Sequence, residues 1–175
     1  MQRLTQQDDE TILIRSVYFA FHYERDVWRA NVVRNSWVTK PDRAAAGFVD
    51  AAEFEKVKAR GEDAVKRWIL NQLEGTSVTV VLIGSETSTR PYVDFEIQES
   101  YKRKNGLLGV HIYKIENQEG KEDTPGQNPF ETFTVNRDGR AVRLSELYPV
   151  YYWFRDKGYD NLPEWIETAA RQAGR

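Results

Sequence analysis

Apolar positions along this chain follow two rhythms. Residues 16–21, Val78–Ile83 and residues 107–112 are nearly continuous apolar runs, the mark of strands covered on both faces. Between them the spacing turns helical. Val27, Ala30 and Val33 recur after Asp26, which lies in an early, dipole-favoured turn. Ala64, Val65, Trp68, Ile69 and Leu73 make one apolar face that Gly75 stops. Val93, Ile97 and Tyr101 form a stripe over residues 91–104, with Pro91 in the first turn and Ser88 or Thr89 available as cap. A short strand at residues 47–50 is the weakest signal. The order β-α-β-α-β-α-β predicts a parallel sheet with right-handed crossovers and residues 16–21 in its middle.

Beyond residue 112 the pattern loosens. Residues 114–129 are polar and rich in turn formers, so a long excursion is expected. Residues 131–135 and 140–144, around Arg137-Asp138-Gly139, read as a hairpin insertion. Residues 148–154 supply the last strand. Asn161-Leu162-Pro163-Glu164 has capping-box spacing with Asn161 as cap, ahead of an amphipathic helix carrying Trp165, Ile166, Ala169, Ala170 and Ala173. Residues 1–14 read as a polar extension. The expectation is one domain over 1–175: a doubly wound α/β sheet with strand order 2-1-3-4-5 and a hairpin insertion near the C-terminus.

Composition narrows the chemistry. A chain of 175 residues with 40% hydrophobic and 13% aromatic content suits one domain with a single core. A net charge of −2 gives no general attraction to nucleic acid, and Lys102-Arg103-Lys104 reads as a helix-end cluster. The absence of cysteine excludes disulfides, thiolate nucleophiles and Cys-based zinc sites. Nothing signals a metal. No apolar run suggests a signal peptide or a membrane span, so a soluble, cytoplasmic protein is expected.

In such a sheet, ligands bind outside the carboxyl ends of strands where the strand order reverses. The loop His22-Tyr23-Glu24-Arg25-Asp26 and the loop after Ile83 should meet there, with Glu96 at the lip. Several common tenants are excluded. The first loop is too bulky and acidic to cradle a flavin phosphate. The third strand ends Leu82-Ile83-Gly84-Ser85, without a phosphate-accepting aspartate. No G-x-G-x-x-G or G-x-S-x-G is present. Glu96 follows Tyr92 by one helical turn and shares its face. A lone carboxylate there can stabilise an oxocarbenium ion or orient a ribose hydroxyl. On pattern alone Glu96 reads first as a solvated helix residue like Glu99. His22 and Asp26 likewise read as a helix entry, and Trp68 and Trp165 as core.

The residues also resemble a known group, the TIR-like proteins of bacterial Thoeris anti-phage systems. The resemblance is carried by residues 17–26 with Arg29, by Val33-Arg34-Asn35-Ser36-Trp37 and by Gly47-Phe48-Val49-Asp50-Ala51. It continues through residues 76–84, Arg90-Pro91-Tyr92-Val93-Asp94-Phe95-Glu96-Ile97, residues 106–112, Tyr151-Tyr152-Trp153 and Trp165-Ile166-Glu167. It implies a flavodoxin-like sheet that consumes NAD, with Glu96 at the motif position of the catalytic glutamate. Tyr92 stands where many members carry tryptophan.

Phe21, His22, Asp26, Asp50 and Tyr92, in or beside the loops, are then expected to contact the nucleotide. By the same resemblance, NAD is expected as substrate rather than cofactor. Loss of nicotinamide leaves a ribosyl cation that the adenine of the same molecule captures. The resemblance implies that the resulting cyclic ADP-ribose isomer is a messenger to a separate effector. The same resemblance admits a phage-derived activator and a homo-oligomer, and involves neither nucleic acid nor membrane. A reading from another class is a TIR-like scaffold that binds a nucleotide or a protein without cleaving anything; fold alone does not separate the two.

Overall fold

A computed structural model describes residues 14–39, 41–48 and 50–175. Five parallel strands form one sheet: β1 (Arg15–Ala20), β2 (Arg43–Ala46), β3 (Val78–Ile83), β4 (Gly106–His111) and β7 (Val150–Tyr152). Their spatial order is β2-β1-β3-β4-β7, the expected 2-1-3-4-5 arrangement counted over sheet strands. The intervening β5 (Thr134–Arg137) and β6 (Arg140–Arg143) are a separate antiparallel hairpin.

Helices cover both faces because both faces are apolar. On one, Val17, Phe19, Val80, Leu82, Leu108 and Val110 meet Ala30, Val33 and Trp37 of α1 (Tyr23–Trp37) and Leu162, Ile166 and Ala170 of α6 (Gly158–Gln172). On the other, Tyr18, Ala20, Val81, Ile83 and Leu107 meet Val65, Ile69 and Leu73 of α3 (Glu62–Leu73) and Val93 and Ile97 of α4 (Pro91–Lys102). Among the described residues no helix is long and apolar enough to cross a membrane.

Local expectations are corrected at three places. The second strand is Arg43–Ala46, not residues 47–50. An Arg-Ala-Ala-Ala segment has little strand propensity, and only parallel pairing with β1, from Arg15↔Arg43 to Tyr18↔Ala46, makes it one. Gly47, at φ +107°, then ends it. A helix that the pattern did not suggest, α2 (Ala51–Lys58), follows at once. At α4, Arg90 occupies the cap position without a side-chain capping bond, while Thr87–Thr89 form a separate 3₁₀ turn. Asn161 lies inside α6, which begins at Gly158, and its amide donates to the Asp156 carbonyl at 2.9 Å. The fifth helix, α5 (Leu144–Leu147), is a single turn between β6 and β7.

Candidate active site

Four segments converge at the carboxyl end of β1. The strand runs out through Phe21 and His22 into α1, and α4 enters at Arg90 and Pro91. Gly47 passes so close to β1 that an added Cβ would lie 2.8 Å from the Phe19 carbonyl oxygen. Any side chain there would push Phe48 out of place. Behind Phe48, α2 contributes Phe54 and Lys58, and α3 contributes Val65 and Ile69. Together these residues enclose a cavity of about 190 Å³ lined also by Tyr23, Glu24, Tyr92 and Glu96.

Glu96 was expected at an exposed lip; it is buried, at 6% exposure. The turn that puts it on the Tyr92 face also turns it toward the sheet, where the Tyr18 hydroxyl donates to Oε1 at 2.6 Å. The other oxygen, Oε2, is buried without a hydrogen-bond partner. Burial opposes the charged form and raises the Glu96 pKa to about 8, against a smaller lowering by the Tyr18 hydrogen bond. The carboxyl is therefore mostly protonated at neutral pH in the unliganded protein. A neighbouring cation would favour its ionisation.

The rest of the wall is aromatic, with cations at its edge. Phe48 stacks on Trp68 at 3.5 Å between ring centroids, Tyr23 stacks on Phe54 at 4.4 Å, and Phe48 meets Phe54 edge-on at 5.0 Å. Lys58 pairs with Glu24 and lies 5.4 Å above the Phe54 ring, while Arg90 pairs with Glu86. Burial and then the Arg90 charge lower the His22 pKa, which favours the neutral imidazole. Among the described residues no cluster of side chains could hold a metal ion.

Of the residues singled out from sequence, Phe21, His22, Tyr92 and Glu96 line this one cavity. Asp26 and Asp50 do not. Asp26 is fully buried on the inner side of α1, 3.5 Å from the Arg29 guanidinium, and its Oδ2 has no hydrogen-bond partner. Desolvation raises its pKa to about 6. Its place beside the first loop in sequence was misleading, because the first turn of α1 rotates it under the end of β3. Asp50 is exposed and caps α2 by accepting the backbone N–H of Glu53 at 2.7 Å. Lining residues not foreseen are Tyr23, Phe48, Phe54, Lys58 and Arg90, and Tyr18 behind them was also missed. The spacing Asp50-x-x-Glu53 was the available signal for α2 and hence for Phe54 and Lys58.

The crevice between β1 and β3 is also partly filled by the chain itself. The Arg25 guanidinium donates to both carboxylate oxygens of Asp123, at 3.0 and 3.1 Å, and the Ser85 hydroxyl donates to the same group. Arg29 donates to the carbonyls of Ile115 and Lys121. Gly126 packs so tightly on Gly84 that an added Cβ would fall 1.9 Å from the Gly84 carbonyl oxygen. The excursion after β4 thus covers the β3 side, while Phe48, Phe54 and Lys58 wall the cavity on the β2 side.

Comparison with known proteins bears on the family of this chain. Residues 18–117 match the family described as "Thoeris protein ThsB, TIR-like domain". The chain is also similar to a Bacillus cereus (strain MSX-D12) protein named "Putative cyclic ADP-D-ribose synthase ThsB1". The two are 34% identical over 191 aligned positions, which cover 88% of this chain and all of that relative. The family match takes in the second half of β1, the cavity-forming segments and Glu96.

Proposed function

This chain belongs to the TIR-like domain family of Thoeris protein ThsB, and on that premise we propose that it consumes NAD through Glu96. It makes a cyclic ADP-ribose isomer that serves as messenger to a separate effector. The observation that carries the reading is a buried carboxyl with one oxygen held by Tyr18 and the other unpartnered at an aromatic cavity. The relative's name supports the product class.

The chemistry follows from charge. NAD carries its positive charge on the nicotinamide ring. When that ring approaches Glu96, the cation favours the carboxylate over the protonated acid. Phe21, Tyr23 and Tyr92 offer aromatic faces to a planar ring, and Lys58 and Arg90 supply positive charge at the edge for a diphosphate. Cleavage moves the electron pair of the ribosyl carbon–nitrogen bond onto nicotinamide, which leaves neutral. The positive charge passes to the ribosyl, where a preorganised carboxylate in a dry site stabilises it. Attack by water would have to be assisted by the neutral His22 imidazole of the wall. Capture by the adenosine half of the same molecule benefits instead from tethering. The new bond joins the ribosyl carbon to that nucleophile, and one proton is released.

A carboxyl that is mostly neutral at rest also makes the resting enzyme slow. An activator or a change in assembly would act by favouring its ionised form.

Incubation of NAD with the protein, followed by chromatography and mass spectrometry, tests the reading. The expected product is one water lighter than ADP-ribose and is absent with Glu96→Gln. Dominant linear ADP-ribose would leave an NAD hydrolase without a signalling product. Binding of NAD with no turnover under any condition would favour the non-catalytic scaffold.

A further inference from the structure

Resting on the assignment of Glu96 above, we propose that Tyr18 is the positioning residue of this site. Its hydroxyl fixes one carboxyl oxygen so that only the other meets substrate, and it sets how readily Glu96 ionises.

The strand makes Tyr18 a rigid anchor. It is fully buried in β1, paired to Ala46 of β2 on one side and Thr79 of β3 on the other. Its ring points to the α3–α4 face, opposite to Val17 and Phe19. A hydroxyl at a fully buried position costs stability unless it is partnered. The hydroxyl's hydrogen-bond partner is Glu96 Oε1 at 2.6 Å, at the short end of O–H···O bonds. Because Oε1 is engaged from the sheet side, Oε2 is left to the substrate.

The other groups around Glu96 do not duplicate this role. From α3 the facing side chains are apolar, Val65 and Ile69. His22, Tyr23 and Glu24 come from the start of α1, Lys58 from the end of α2, and Arg90 from the entry to α4. None of these hydrogen-bonds to the carboxyl. Lys58 and Arg90 are already paired with Glu24 and Glu86. Arg34 of α1 acts electrostatically on Tyr18 and lowers its pKa, but burial and Glu96 outweigh it and hold that pKa well above the ordinary value. Tyr18 therefore keeps its proton and acts as a fixed donor, not as an acid that gives the proton away.

The test uses Tyr18→Phe and site-specific replacement of Tyr18 by a fluorotyrosine, a nearly isosteric ring with a stronger O–H donor. Without the hydroxyl, the alkaline inflection of kcat/KM for NAD moves up by about one pH unit, and turnover at pH 7 falls about tenfold. Raising the pH restores turnover, and KM changes little. The fluorotyrosine moves the inflection down. A carboxyl infrared band, assigned by its loss in Glu96→Gln and followed without NAD, titrates with the same displacements. Unchanged inflections and band positions in both variants would overturn the proposal, whatever the rate. If Tyr18→Phe does not fold, the fluorotyrosine protein alone decides between the outcomes. Full turnover by Glu96→Gln would instead sink the catalytic assignment, while the infrared titration would still report on the Tyr18–Glu96 bond.

Discussion

Asp26 lies against the α-carbon of Gly84: a Cβ added at that glycine would stand 2.0 Å from Asp26 Oδ2 and 2.6 Å from its Cγ. This contact joins the start of α1 to the end of β3. Asp26 has no freedom to retreat, being fully buried and ion-paired with Arg29. Gly84→Ala therefore forces the two elements apart. A loss of roughly 2–4 kcal/mol in chemical denaturation is expected, as for other overpacked or strained core sites. A variant as stable as the parent would show that the contact relaxes without cost.

Glu96→Gln removes a buried ionisable carboxyl while keeping an acceptor for the Tyr18 hydroxyl. Its folded pKa of about 8 lies above the ordinary value of 4.5. The folded state thus binds the proton more tightly than the unfolded chain, and the wild type loses stability as pH rises between these values. The variant lacks that loss. Relative to the wild type, the variant's unfolding free energy should rise steadily from pH 4.5 to pH 8, by several kcal/mol over that window, and its melting temperature should rise with it. A constant gap across this window would mean that Glu96 is not reluctant to ionise.

The same group predicts two different pH profiles. In the free enzyme, kcat/KM should rise toward an inflection near pH 8, where Glu96 becomes the carboxylate. With NAD bound, the nicotinamide cation favours ionisation, so the inflection in kcat should lie at lower pH. Steady-state kinetics across pH 5.5–9 checks both. Coincident inflections would remove the cation from the argument.

Phe21→Leu tests the aromatic wall while keeping a buried apolar side chain. Loss of the ring face should raise KM for NAD by about 2–10-fold with a smaller effect on kcat. An unchanged KM would place the planar end of the substrate against other rings.

Asp50 should behave as a cap rather than a ligand. Asp50→Ala costs about 1 kcal/mol by exposing the first turn of α2, whereas Asp50→Asn retains the side-chain acceptor and most of the stability. Any loss of activity should follow this stability order. If the charge matters and the melting temperature does not, Asp50 contacts substrate.

Much of this fold was legible because its main signals are local and repeated. Continuous apolar runs at β3 and β4 can be satisfied only by cover on both faces, and the stripe of Val65, Ile69 and Leu73 identified one covering helix. The sequence resemblance singled out Glu96. By contrast, β2 is a strand only because β1 supplies its hydrogen-bond partners, and α2 was overlooked because its cap was read as a ligand.

The site divides along the same line. Sequence alone determined the sheet, its order, and the neighbourhood of Phe21, His22, Tyr92 and Glu96, since each lies just beyond a strand or one helical turn from a loop. Tertiary structure decided the rest. Packing α4 on β1 turned Glu96 inward, brought Tyr18 to it across 78 positions of chain and left Oε2 unpaired. Packing α1 under β3 took Asp26 out of the cavity. Burial and hydrogen-bond partnership depend on which elements meet, and a pKa near 8 is a property of that meeting, not of any residue in the list.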